Sequence, residues 1–129
     1  MDKKRTLRFI TFKLGNHNVI DVDKVGGRNA SFEDFLELLP RDSPRFIVYD
    51  VNCKTNDGRH FDKLLFAYWC PDEVHDPKLR MMYASAKKFF AEMFKVAGSL
   101  RESLDIQIHD IDDMTEETFI KAASKNGKD

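Results

Sequence analysis

The amino-acid sequence predicts an α/β fold of the α+β type, in which a central mixed sheet of five strands is flanked by helices. Three observations lead to this prediction. The chain has 129 residues, which suits a single domain with a core of its own. Five short stretches are rich in β-branched and aromatic residues. Three other stretches repeat apolar residues at the spacing that one face of a helix requires.

The chain begins with two predicted strands that pair as a hairpin. Residues 7–14 alternate polar and apolar side chains, which is typical of a half-buried strand. The expected inward set of this strand is Ile10, Phe12 and Leu14. Residues 19–25 read as the second strand, and the glycine pair at 26–27 is expected to end it.

A short helix and two further strands are predicted next. The helix follows Ser31, whose hydroxyl can cap it together with an acidic residue three positions on, and it ends at Pro40. Residues 45–51 and 63–69 are rich in aromatic and β-branched types, which favours strands. The second of these is largely apolar, so we expect it inside the sheet with both faces covered.

The clearest predicted helix covers residues 77–97, with Asp76 as its cap. Its apolar side chains keep the spacing of one buried stripe. The members of this stripe are Leu79, Met82, Tyr83, Ala86, Phe89, Phe90 and Met93. A short strand at 106–108 and a last helix that ends near Lys125 complete the order β-β-α-β-β-α-β-α. The expected cap of the last helix is Asp113 or Thr115.

Composition and charge restrict the class of function. The formal net charge of −1 creates no global field toward nucleic acid or membrane. Cys53 and Cys70 have neither metal-type nor C-x-x-C spacing, which favours a reduced, cytoplasmic setting. No apolar run approaches the ~20 residues of a membrane span. We therefore expect a cytoplasmic monomer with no cofactor, no metal and no nucleic-acid partner.

The residue patterns typical of enzymes are weak in this sequence. The histidines at 17, 60, 75 and 109 form no His-x-x-x-His or His-x-Glu pair. The residues that fall at calcium-loop offsets are Asp105, Gln107, His109 and Glu116. Asp110, however, stands where such a loop needs glycine. We predict that the chain is not an enzyme, and a small enzyme with an unrecognised site is the remaining hypothesis of that kind.

The outward face of the longest predicted helix carries one apolar side chain among cations. At about 100° per residue, Met81 points away from the buried stripe, with Lys78 and Arg80 on either side. Lys88 shares this side and Ser85 lies close by. Such a surface offers a partner an apolar anchor, charge complementarity and room for close approach. The pattern alone favours a solvated basic face with Met81 tucked under the preceding loop.

The stretch that carries this helix resembles the signature of the actin-depolymerising-factor homology domain. Residues 63–72 (KLLFAYWCPD) resemble that family's apolar strand with its Trp-x-Pro-acid end. Residues 78–85 (KLRMMYAS) resemble its basic-x-basic-Met-x-Tyr-Ala-Ser helix start. Residues 38–40 and 45–50 match two upstream segments, so the resemblance covers about residues 7–125. The chain is thereby identified as a short member of the actin-depolymerising-factor/cofilin family.

The resemblance implies the family's cofilin-like fold and binding of monomeric and filamentous actin, with filament disassembly, at the cytoplasmic cytoskeleton. The monomer-binding residues that it implies are Lys78, Arg80, Met81 and Ser85. The filament-binding residues that it implies are His60, Lys63, Lys121 and Lys125. Phosphoinositide headgroups compete with actin in relatives. The residues that would meet them here are Lys78, Arg80, Lys87 and Lys88.

Departures from the family pattern lead to further expectations. We expect one domain over 1–129, without the family's N-terminal helix and its regulatory serine, and with a frayed tail over 124–129. One face of the sheet should then be less covered. The hairpin before Lys63 is less basic than in strong severing relatives, which predicts weak severing. The alternative is a module of the same fold that binds another cytoskeletal partner, such as an actin-branching complex, with little affinity for actin.

Overall fold

A computed structural model describes residues 7–15, 19–54, 58, 60–96 and 105–127 of the chain. The elements are β1 (Leu7–Leu14), β2 (Ile20–Gly27), α1 (Phe32–Leu38), β3 (Arg45–Lys54), β4 (His60–Trp69), α2 (Pro77–Val96), β5 (Asp105–Ile108), a 3-10 turn (Ile111–Asp113) and α3 (Glu116–Gly127). The predicted order of strands and helices is confirmed. The sequence also predicts a turn at 15–18 and a polar hairpin loop at 55–60, and most of both lies outside the described residues. Gly98, which is predicted to end the helix that begins at Pro77, lies outside them as well.

The strands form one five-stranded mixed sheet in the order β2-β1-β3-β4-β5. The first three pairings are antiparallel, and β4 pairs with β5 in parallel. A parallel neighbour requires a crossover connection, and α2 lies in that connection. Strand β4 lies inside the sheet, as its apolar sequence predicts, and β2 and β5 are its edges.

Helices cover both faces of the sheet. Helices α1 and α3 pack on one face, in a core that includes Phe35, Trp69 and Phe119. Helix α2 packs on the other face, in a core that includes Phe46 and Phe90. The sheet is therefore the middle layer of three, and the predicted fold class is confirmed.

Strand β1 has a side-chain burial that differs from the predicted one. Phe9 and Thr11, which face α1 and α3, are each 1% exposed, while the predicted inward set is only half-buried toward α2. Thr11 can be buried because its hydroxyl accepts a hydrogen bond from the backbone N–H of Lys24 at 3.1 Å. Both faces of β1 thus contribute to a core, so the alternation of polar and apolar residues does not predict which face is more deeply buried.

The glycine pair predicted to end β2 lies within the strand. Gly26 pairs with Phe9 of β1, and a Cβ atom at Gly26 would overlap the ring of Phe9. Glycine is therefore required where this ring lies against the neighbouring backbone. Gly27 has open space beside it and carries no such constraint.

Local capping explains where the two shorter helices begin. The Ser31 hydroxyl accepts from the N–H of Asp34, and the Asp34 carboxylate accepts from the N–H of Ser31, both at 3.0 Å. This reciprocal pair is the capping box that the sequence predicts. Thr115 caps α3, because its hydroxyl accepts from the N–H of Thr118 at 3.1 Å. Helix α3 continues to Gly127, into the segment predicted to be frayed.

Candidate functional site

The start of α2 is positioned by the residues that end β4. Trp69 is buried, and its indole N–H donates a hydrogen bond of 2.7 Å to the carbonyl of Pro40, which follows α1. This bond satisfies the one polar atom of a large buried side chain. It also fixes the end of β4 relative to the chain that leaves α1.

The loop between β4 and α2 is tied to the end of β5 through its backbone. The N–H of Cys70 donates to the carbonyl of Ile108 at 3.0 Å, and the N–H of Asp72 donates to the carbonyl of His109 at 3.1 Å. Pro71 between them is fully buried. Because the loop is held at both residues, it delivers α2 to the surface in one position.

The first turn of α2 is capped as the sequence predicts. The Asp76 carboxylate accepts from the N–H of Lys78 at 3.0 Å, and the Asp76 carbonyl accepts from the N–H of Arg80 at 3.1 Å. Pro77 occupies the first helical position, where an N–H would have no partner in the helix. Further along, the hydroxyl of Tyr83 accepts a 2.9 Å hydrogen bond from the N–H of Leu14 in β1.

Met81 projects from this turn into solvent. Its side chain is 67% exposed, whereas Tyr83 and Phe90 on the opposite side of α2 are buried. The interpretation that tucks Met81 under the preceding loop does not fit this exposure. Lys78, Ser85 and Lys88 are exposed as well, so the outward face of α2 has the composition that the helical periodicity predicts.

Arg80 has a different environment from Lys78. Its side chain is half-buried, and its guanidinium Nη1 donates to the carbonyl of Val74 at 3.0 Å and approaches the carbonyl of Pro71 at 3.5 Å. Both acceptors are backbone carbonyls, which carry no net charge. Arg80 therefore joins the loop to the first turn of α2, and its charged side chain is only partly exposed to solvent.

Phe89 is predicted in the buried stripe of α2 but is 63% exposed. On a helical wheel it lies at the margin of the stripe, beside the half-buried Met82. The described part of the chain places no second helix beside α2 on this face of the sheet, so the margin stays in solvent. Val22 and Val25 are also about half exposed on this face, since their β1 partners face α2.

The second predicted surface is only partly described. Lys121 is exposed on α3, where it was expected to face a partner. The side chains of His60, Lys63 and Lys125 lie outside the described residues, although their backbones belong to β4 and α3. Lys87, predicted for headgroup binding, is half-buried on α2.

Two residues of the segment that suggested a calcium loop have hydrogen-bond partners within the protein. Asp110 accepts a 3.0 Å hydrogen bond from the N–H of Asp112 and caps the 3-10 turn. His109 Nδ1 lies 2.9 Å from the carbonyl of Cys70. Among the described side chains, no group of three or more His, Cys, Asp or Glu could hold a metal ion. The described helices include none long and apolar enough to span a membrane.

Two buried tyrosines have perturbed acidity. Burial raises the pKa of Tyr49 to about 12, because the phenolate would lose its hydration. Burial also raises the pKa of Tyr68, and its hydrogen bond with the Cys70 thiol adds to this shift. Tyr49 belongs to the core under α1 and α3, and Tyr68 to the core under α2. Both therefore bear on the stability of the fold rather than on the exposed face of α2.

Comparisons with known proteins find relatives along most of the chain. The family model described as cofilin/tropomyosin-type actin-binding protein matches residues 1–124. Actophorin from Acanthamoeba castellanii is 31% identical over 122 residues, which are 94% of this chain and 83% of actophorin. An actin-depolymerizing factor from Brassica napus is 36% identical over 88 residues, 68% of each protein. The crystal structure of Streptomyces griseoflavus cofilin superposes with a TM-score of 0.71 at 31% identity, covering 94% of this chain and 85% of that one.

Proposed function

We propose that this chain, which belongs to the actin-depolymerising-factor/cofilin family of actin-binding proteins, binds actin through the opening turns of α2 and promotes filament disassembly. One observation supports this surface best: Met81 is exposed beside the exposed cation Lys78 on a helix start that the preceding loop holds in place. Family membership supports the activity, and the geometry supports its location on the molecule.

An exposed methionine suits a partner that offers an apolar cleft. The unbranched thioether of Met81 can adapt its shape to such a cleft, and full burial of a methionine is worth about 1.5–3 kcal/mol. Ser85, one turn further on, is small enough to let the backbone of a partner approach. Because the start of α2 is already held by its loop, little conformational freedom is lost on binding.

Charge contributes differently at each basic position. Lys78 and Lys88 are exposed, so their charges can raise the rate of association with an acidic partner. Added salt should weaken this electrostatic attraction. We assign Arg80 chiefly to holding the loop, since its guanidinium already donates to loop carbonyls. These three cations, together with Lys87, would meet phosphoinositide headgroups, which would then compete with actin for α2.

The filament-binding surface remains a prediction. Lys121 supports it as an exposed cation on α3. Its other predicted members are His60, Lys63 and Lys125. We infer that severing is weak, because Phe61 and Asp62 make the hairpin before Lys63 less basic than in strong severing relatives. We further expect the protein to act as a monomer at the cytoplasmic cytoskeleton.

Substitution of the two exposed side chains at the start of α2 tests the proposed surface. Lys78→Ala and Met81→Ala should each weaken the binding of fluorescently labelled monomeric actin about tenfold, as expected for central contacts. The melting temperature should not change, because neither side chain packs in a core. Lys24→Ala, a substitution of an exposed cation on β2, is the matched control and should bind as the unaltered chain does.

Filament co-sedimentation and a disassembly assay on the same variants complete the test. Normal monomer binding and normal disassembly by both α2 variants would contradict the proposed surface. An unaltered chain that binds neither monomers nor filaments would contradict the actin function itself. That second result would favour another cytoskeletal partner, such as an actin-branching complex.

A further inference from the structure

We propose that the actin contact continues two turns along α2, beyond Ser85, to Phe89, which serves as a second apolar anchor. This inference rests on the proposed binding of actin by the start of α2. It assigns to Phe89 a role that the sequence pattern of the buried stripe does not suggest, because the stripe predicts a core side chain.

The exposure of Phe89 is the first support. An aromatic side chain that is 63% exposed in the middle of a helix leaves a large apolar area in water. A single exposed apolar residue needs no explanation in a soluble protein. Phe89, however, does not stand alone, since Met81 on the same helix is exposed to a similar degree. Among the described helical side chains, these two are the large apolar ones that are exposed.

The spacing of the two side chains is the second support. Met81, Ser85 and Phe89 are four residues apart in succession, so they form one continuous row on the helix surface. Eight residues of helix separate the two large side chains by about 12 Å along the axis. The small Ser85 between them leaves a shallow gap, into which the backbone of a partner can fit.

The charges beside the row are the third support. Lys78 lies one turn before Met81, and Lys88 lies one turn after Ser85, and both are exposed. The row thus has one exposed lysine beside its start and another beside Ser85, between the two apolar anchors. A protein partner that matches this arrangement has two apolar depressions about 12 Å apart with acidic groups beside them. The cluster of contacts proposed at the start of α2 would form one half of this interface, and Phe89 the other half.

Measured affinity for fluorescently labelled monomeric actin tests the role of Phe89. Phe89→Ala should weaken binding about tenfold, because truncation of a buried aromatic anchor commonly costs that much. Phe89→Leu keeps an apolar side chain and should retain most of the affinity. Val25→Ala is the matched control, since Val25 is a half-exposed apolar side chain on β2, an element that carries no member of the row. Its affinity should stay unchanged.

A double variant shows whether the two anchors act as separate contacts. About 12 Å of helix separates Met81 from Phe89, so the fold-losses of the single variants should multiply in Met81→Ala/Phe89→Ala. Thermal unfolding should show that Phe89→Ala is folded and no less stable, because the ring lies outside the core and alanine favours helix.

The results separate the inference from the proposed function. If Met81→Ala weakens binding while Phe89→Ala binds like Val25→Ala, the second anchor is wrong and the proposed function stands. If the unaltered chain does not bind actin, both are wrong. Two further results would overturn the second anchor. In one, Phe89→Ala lowers binding to vesicles of anionic phospholipid without changing actin affinity. In the other, it dissolves a self-associated dimer in sedimentation velocity, again with unchanged actin affinity.

Discussion

At the scale of single side chains, Lys78 and Arg80 stand two positions apart on α2 but meet different surroundings. Helical periodicity predicts that both flank Met81, and it places Lys78 and Met81 in solvent, as observed. It cannot predict that Arg80 finds two carbonyl acceptors, because these belong to a loop whose path depends on Trp69 and on the end of β5. The direction in which a helical side chain points follows from its position in the helix, whereas its partners depend on segments elsewhere in the sequence.

Arg80→Ala should destabilise the fold, whereas Lys78→Ala should not. Loss of the guanidinium leaves the carbonyl of Val74 without its donor, at a cost on the order of 1–3 kcal/mol in the free energy of unfolding. Actin binding should weaken as well, because the loop is less well held. The decline of affinity with added salt should change little, since Arg80 contributes more geometry than exposed charge.

Urea unfolding, together with actin affinity at two salt concentrations, checks this difference. The matched comparison is Lys78→Ala, which should leave the unfolding free energy unchanged and flatten the salt dependence. An Arg80→Ala protein of normal stability, with a salt dependence as flat as that of Lys78→Ala, would show that Arg80 acts as a direct charge contact instead.

At the scale of the elements, local signals predict how helices begin, and longer-range packing decides which side chains they bury. Ser31, Asp76 and Thr115 are recognisable as caps because each bonds to a backbone N–H within three residues of itself. The spacing of Phe89 fits the buried stripe and therefore predicts a core position. Its burial would require a neighbouring element on that side of α2, which spacing does not reveal.

Strand β2 provides a matched pair of glycine substitutions. Gly26→Ala should destabilise the fold by about 1–3 kcal/mol, because the new methyl group overlaps the ring of Phe9. That ring cannot easily move, since it packs edge-on against Phe35 at 5.0 Å between ring centroids and stacks on Tyr49 at 6.0 Å. Gly27→Ala has open space and should cost far less, so the two unfolding curves give a direct comparison. Equal stability of the two variants would rule out the close approach.

At the scale of the whole molecule, the order of elements and the type of sheet follow from periodicity and composition. The number of helices that cover each face of the sheet does not follow from periodicity and composition. Two helices lie on one face and one on the other, which leaves Val22 and Val25 half exposed beside α2. The resemblance to the family leads to the expectation of a less covered face. The residues alone do not, because an amphipathic strand is compatible with either arrangement.

Stability should fall at alkaline pH, because buried Tyr49 resists ionisation. The pKa of Tyr49 is about 12 in the folded chain, against an ordinary value of 10.0. The unfolded chain therefore loses this proton first, and the contribution that is present below pH 10 is lost as pH rises toward 12. Each unit of pKa difference corresponds to about 1.4 kcal/mol in unfolding free energy. Tyr68 shifts the same way.

Urea unfolding at neutral pH and near pH 11 measures this loss. Tyr49→Phe has no phenol to ionise at this position, so its stability should decline less steeply with pH than that of the unaltered chain. Other groups titrate in both proteins, and for that reason the difference between the two slopes is the quantity to compare. Parallel slopes would contradict the assignment to Tyr49.

The indole of Trp69 donates to a main-chain oxygen, and any residue type at position 40 would offer the same oxygen. The bond therefore constrains the course of the backbone after α1 but not the identity of the residue there. Tryptophan is less replaceable, because no other side chain fills that volume and also carries a ring N–H donor in that place. Mutational freedom is thus unequal across this bond: the bond itself tolerates other residue types at position 40, whereas it requires the tryptophan opposite.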